Sequence, residues 1–127
     1  MKNIIKTDKA PGAIGPYSQG VKKAGAIVFV SGQLPIDPAT GQFAQGGIEG
    51  QAEQSLKNAQ AVLQAAGAQM DDVVKTTVFL KNMDDFAAMN AVYARFFPKD
   101  CPARSALEVA RLPKDALIEI EAVAVVD

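Results

Sequence analysis

Two stretches constrain this chain more than any others: "DVVKTTVFL" (Asp72 to Leu80) and "ALIEIEAVAVV" (Ala116 to Val126). Both are rich in β-branched residues and read as strands. Their cores, "TTVFL" and "IEIEAVAVV", carry apolar side chains at odd and at even positions. Successive strand residues point to opposite faces, so both faces of the sheet need cover.

Helical spacing occurs twice. From Gln51 to Ala66, the residues Ala52, Leu56, Ala59, Leu63 and Ala66 form one stripe, with Gly67 at the C-terminal cap. From Asp85 to Phe97, Phe86, Met89, Tyr93 and Phe97 form another, with Asp84 as the expected N-cap and Pro98 closing the end. Two helices cover only one face of a sheet. No further segment is free to cover the other, which predicts a homo-oligomer that buries it.

The remaining segments complete an α+β layer fold. "KNIIKT" (Lys2 to Thr7) reads as a short strand, followed by the stiff "APGAIGPY" (Ala10 to Tyr17). "SQGVKKA" and "AIVFVSGQ" flank Gly25 as a predicted hairpin. Leu34 to Gly50 holds three turn clusters and reads mostly as loop. "RSALEVA" and "ALIEIEAVAVV", joined by "RLPKD", read as a second hairpin. No repeat, linker or low-complexity segment divides the 127 residues, so residues 1–127 are expected to form one domain.

Composition narrows the chemistry. Apolar residues make up 49% and charged residues 21%, as in soluble globular proteins. The 13 basic and 14 acidic residues are interspersed, so no basic stripe is on offer to a nucleic acid. No apolar run approaches the roughly 20 residues of a membrane span, and no secretory signal opens the chain. Cys101 is the only cysteine, which excludes an intrachain disulfide and points to a reducing compartment such as the cytoplasm. It reads as a loop bystander.

The chain has no histidine, which excludes Ser-His and Cys-His nucleophiles and leaves no zinc ligand set. No phosphate-cradling glycine motif occurs. The side chains that remain suit reactions in which a carboxylate is held and a water is aimed.

Several residues are candidates for that work. Asn90 lies on the apolar side of its helix, where its amide must be hydrogen-bonded; it either pins nearby backbone or meets a ligand. Ser31 follows Ile27 and Phe29 at period two, with Gly32 next. That pattern fits an ordinary strand end or a close approach of backbone to another group. Arg104, Ala106 and Glu108 share one strand face, and Glu119 and Glu121 share another. Were Ala106 paired with Glu119 across the hairpin, all five would line one surface. The alternatives are a different register and a solvated ion-pair ladder.

"APGAIGPYSQGV", "VSGQLPIDPATG", "VVKTTVFLKNMDDFAAMNAVYARFF" and "PARSALEVARLPKDALIEIEAVAV" together resemble the RidA (YjgF) family of reactive intermediate imine/enamine deaminases. The likeness runs from about Ala10 to Val125. It implies a fold like Bacillus chorismate mutase, as a homotrimer whose sheets form a central β-barrel with the helices outside. Sites would lie in clefts between subunits. By the resemblance, Arg104 holds a substrate carboxylate, for which a guanidinium fork suits better than a lysine. Glu119 positions a water, and Tyr17, Ser31, Gly32, Asn90 and the Ala106 backbone line the pocket. Many members carry cysteine where this chain has Ala106, so the attacking group expected here is water.

The expected substrates are 2-imino acids, the products 2-keto acids and ammonium, and no cofactor, metal, nucleic acid or membrane is called for. The alternative reading is a ligand-sensing trimer without turnover, regulating a metabolic enzyme. Chorismate-mutase-like and RNA-acting or chaperone-like roles rank lower, since only one arginine is well placed and the lysines are scattered.

Overall fold

The computed structural model describes residues 1–127 and is built on one four-stranded sheet with two helices on one face, beside two separate two-stranded pairs. Its elements are β1 (Asn3–Ile5), β2 (Gly20–Lys22), β3 (Ala26–Gln33), β4 (Ile36–Asp37), β5 (Gln42–Phe43), α1 (Gly47–Ala65), β6 (Val73–Leu80), α2 (Phe86–Phe96), β7 (Ala103–Glu108) and β8 (Ile118–Val126). The sheet order is β3-β8-β6-β7. β6 pairs parallel with β7 and antiparallel with β8, and β8 pairs antiparallel with β3. The sheet is therefore mixed.

The two-sided strands behave as their sequences require. Thr76, Val78 and Leu80 of β6, with Ile118, Ile120, Ala122 and Ala124 of β8, are buried beneath the helices. α1 contributes Ala52, Leu56, Ala59 and Leu63 to that core, and α2 contributes Met89, Val92 and Tyr93. Each large aliphatic side chain buried here is worth about 1.5–3 kcal/mol. The opposite face is bare: Phe29 is 75% exposed, Ile27 59% and Leu107 39%.

Three sequence expectations are corrected. First, β7 and β8 do not form a hairpin, because β6 lies between them. β6, α2 and β7 form a parallel crossover unit, and a parallel pair needs a connection long enough to hold a helix. The segment after β7 then passes over the end of β6, where the Val109 amide donates to Leu80 O at 2.9 Å and Lys81 to Leu117 O at 3.0 Å. Second, β2 pairs with β1, not with β3, so no hairpin forms around Gly25. Gly25 instead adopts φ 147°, and a Cβ there would collide with the Val126 carbonyl. Third, the cap ahead of α2 is Asn82, not Asp84. Its side-chain oxygen accepts from the Asp84 amide at 2.9 Å and opens a 3₁₀ turn, Met83–Asp85, that leads into the helix.

Other differences are small. α1 begins four residues before the predicted start, and the loop before it folds back as the β4–β5 pair. Asn58 of α1 holds that loop through its amide, which donates to Leu34 O and Ile36 O at 3.1 and 2.9 Å.

Candidate functional site

Arg104 projects from the edge strand β7 toward α2. In register it stands beside Thr76, on the helix-covered face. α2 presents Phe86, Met89, Asn90 and Tyr93 to it, at the i, i+3, i+4 and i+7 spacing of one helical face. Nη1 of Arg104 donates to Asn90 Oδ1 at 2.7 Å. Tyr93, Tyr17 and Phe86 surround the guanidinium carbon, with ring centroids at 4.8, 5.4 and 5.5 Å.

Tyr17 reaches this position because its loop is tied to the base of β7. The Ser18 amide donates to Pro102 O at 3.0 Å, the Ser18 hydroxyl donates to Cys101 O, and Ser18 bridges to Ala103. The Tyr17 hydroxyl accepts from the Ile14 amide at 3.3 Å. Proline-stiffened and anchored at both ends, the loop sets the Tyr17 ring against the arginine.

The electrostatics of this cluster stand out. Arg104 is half-buried, and desolvation lowers its pKa, with Tyr93 and Tyr17 opposing the shift. An arginine remains charged regardless. Yet no carboxylate pairs with it. The ion pairs of the chain lie elsewhere: Lys23–Asp72, Lys57–Glu53, Arg95–Glu53, Arg111–Asp115 and the N-terminus with Asp127. A half-buried cation whose only acceptors are neutral, Asn90 Oδ1 and Met89 Sδ, both on Nη1, keeps most of its N–H donors available to an anion.

Glu119 lies elsewhere. In register it stands beside Phe79, which stands beside Leu107, on the bare face. Its carboxylate rests over Gly32. A Cβ on Gly32 would lie 2.8 Å from Glu119 Cδ and closer still to Oε2, so only glycine leaves room for the acid. Gly32 can be displaced this way because β3 bulges between Val30 and Gln33, inserting an extra residue opposite β8. Ser31, in the same bulge, is exposed.

The expected site residues thus fall into two groups within one chain. Tyr17, Asn90, Arg104 and Ala106 gather on the helix-covered side, and Ser31, Gly32 and Glu119 on the bare side. The five-residue surface expected from a β7–β8 hairpin does not exist, because through β6 Ala106 aligns with Val78 and Ile120, one residue away from Glu119. Asn90 holds the arginine and not backbone. Sequence reasoning missed Phe86, Tyr93 and Thr76 as members of the arginine cluster. The signal was present, since Phe86 and Tyr93 flank Asn90 on its own helical face, but their apolar spacing reads first as core. No cluster of acidic, histidine or cysteine side chains is arranged to hold a metal ion, and no helix is long and apolar enough to cross a membrane.

Comparison with known proteins agrees over nearly the whole chain. The family model described as endoribonuclease L-PSP matches residues 7–126. A RutC family protein of Pyrococcus horikoshii is 56% identical, over 98% of both chains. A protein of Salmonella typhimurium named 2-iminobutanoate/2-iminopropanoate deaminase is 54% identical, again over 98% of both. Among solved structures, Escherichia coli TdcF with bound serine is 48% identical and superposes with a TM-score of 0.77, covering 98% of this chain and 99% of that one. With matches of this extent in sequence and in fold, the chain belongs to the endoribonuclease L-PSP family, the YjgF/RidA family.

Proposed function

We propose that this protein is a 2-iminobutanoate/2-iminopropanoate deaminase that works as a homotrimer, without a cofactor, on small 2-imino acids. The observation that carries this reading is Arg104: a half-buried guanidinium in an aromatic pocket with no acid of its own. That arrangement suits an incoming carboxylate. Relatives 52–54% identical are named for this reaction, and a structural relative was solved with serine, which carries an α-carboxylate.

Arg104 and Glu119 lie on opposite faces of the sheet. A site that uses both therefore takes one from each of two copies. The exposed Ile27, Phe29 and Leu107 supply the apolar face that a neighbouring copy would cover, as expected of a trimer with its sheets turned inward.

In the proposed reaction, Arg104 holds the carboxylate of the iminium form and Glu119 orients a water at C2. As the water oxygen bonds to C2, Glu119 accepts a proton and the electrons of the C=N bond pass to nitrogen. Glu119 returns the proton to that nitrogen. The carbinolamine then collapses as the C–N bond breaks, and its hydroxyl proton leaves with ammonia as ammonium. Free imines hydrolyse in water unaided, so a modest gain suffices, at about 1.4 kcal/mol for each tenfold. Positioning and charge stabilisation supply such a gain without a strong base.

The test generates 2-iminobutanoate in situ with a threonine dehydratase and follows imine loss and keto-acid formation. The wild type accelerates hydrolysis, Arg104→Ala almost abolishes the acceleration, and Glu119→Ala greatly reduces it. Full activity in Glu119→Ala would exclude the water-positioning role. Incubation with RNA checks the activity in the family description, and the scattered basic residues lead us to expect no cleavage.

A further inference from the structure

A structural arginine is ordinarily fixed by a carboxylate, which uses the same N–H edge a ligand would need. Arg104 is fixed differently. The faces of three rings enclose its cation, and a ring face attracts a guanidinium without occupying its in-plane donors. The nearest ring, Tyr93 at 4.8 Å, is wholly buried. Its hydroxyl bonds to Thr76 Oγ1 at 2.7 Å, and its ring lies against Phe97 at 4.7 Å with a 40° tilt. Thr76 is itself the β6 residue beside Arg104 in the strand register. The chain of contacts closes on itself: Arg104 lies on Tyr93, Tyr93 is tethered to Thr76, and Thr76 flanks Arg104.

We infer that Tyr93, tethered by Thr76 and completed by Phe86, is a positioning device that fixes the plane of the Arg104 guanidinium so that its free N–H edge meets a ligand carboxylate. The Tyr93 hydroxyl is spent on Thr76 and does not itself reach a ligand. The inference deepens the function proposed above and rests on it for the identity of the carboxylate. The orientation of Arg104 can be tested without it.

The experiment titrates the whole protein with 2-oxobutanoate and with its neutral amide, 2-oxobutanamide, by calorimetry. In parallel, the Arg104 Nε–Hε NMR signal is followed. Phe86 is half-buried, so Phe86→Leu removes a wall while sparing the core. It should weaken 2-oxobutanoate binding about fivefold and leave the amide unchanged, with Phe86→Trp restoring the preference. Thr76→Val keeps every ring and removes only the tether. It should speed rotation of the Arg104 guanidinium and move Hε away from its ring-shifted position.

Equal weakening of acid and amide by Phe86→Leu would reduce the ring to a packing residue and overturn the inference. So would an Arg104 signal unchanged in Thr76→Val. A wild type that shows no preference for acid over amide would instead defeat the proposed function, and the NMR result would still decide the role of the cage.

Discussion

Replacing Gly32 by alanine separates catalysis from stability. The new Cβ would stand 2.8 Å from Glu119 Cδ and 3.1 Å from Cγ, inside ordinary contact distance. What it meets is the far end of a flexible side chain, so the acid yields and the strand stays. Gly32 is not among the residues at positive φ, so alanine fits the backbone and stabilises by about 0.4–1 kcal/mol through the unfolded chain. Pushing Glu119 off its preferred rotamer costs about 0.5–1.5 kcal/mol. These nearly cancel, and the melting temperature should move by no more than about 4 °C. In the reaction proposed above, catalysis has no such compensation, since the carboxylate must retreat by roughly 1 Å, a displacement that costs on the order of 100-fold in rate. Thermal unfolding, 2-oxobutanoate titration and the coupled imine assay should give a near-native fold, near-native affinity through Arg104 and a kcat about 100-fold lower. Wild-type turnover in Gly32→Ala would show that the placement of Glu119 over the bulge has no bearing on the reaction. A large loss of stability would show that Gly32 serves the sheet and not the acid.

Burial raises the Tyr93 pKa from 10.0 to about 12, because the phenolate form is not solvated in the core. The folded state therefore holds this proton more tightly than the unfolded one. The resulting stability, about 2–3 kcal/mol, is complete below pH 10 and is lost as pH climbs from 10 toward 12. Denaturant unfolding at pH 9 and 11 should show that loss in the wild type and a shallower one in Tyr93→Phe. Phe29→Asp alters a side chain that is 75% exposed in one chain, so its effect on folding should stay within about 0.5 kcal/mol. Sedimentation should nevertheless fall to the mass of one chain, 13.4 kDa, if that face is covered by other copies.

What was legible in the sequence was what is local. The two-sided character of "TTVFL" and "IEIEAVAVV" is a period-two pattern within each strand, and it exposed the shortage of covering elements before any topology was known. The α2 stripe likewise follows from spacing alone. What failed depended on partners far along the chain. "RSALEVA" and "ALIEIEAVAVV" are separated by a turn-like stretch, so nothing local distinguishes a hairpin from two strands flanking a third. Gly25 sits between two strand-like runs, yet its positive φ serves a close approach to Val126 at the other end of the chain. Tyr93 shows a different limit. A tyrosine in an apolar stripe reads as core, and only the register of Thr76 beside Arg104 reveals where its hydroxyl and ring face are directed.

The insertion of β6 between β7 and β8 bears directly on function. In the register that β6 sets, Arg104 aligns with Thr76 and Ala122 while Glu119 aligns with Phe79 and Leu107, so the two lie on opposite faces and a folded single chain offers each residue without the other. If the site is completed by a neighbouring copy, two variants that are each inactive must complement. Arg104→Ala chains keep an intact acid, and Glu119→Ala chains keep an intact arginine. After equal mixing with subunit exchange, about a quarter of the sites in a cyclic trimer would join the two intact groups. Activity should rise from near zero to about one quarter of wild type, with the rate of rise set by exchange. A mixture whose exchange is demonstrated by mass but whose activity stays at the level of the separate variants would show that Arg104 and Glu119 never serve one substrate.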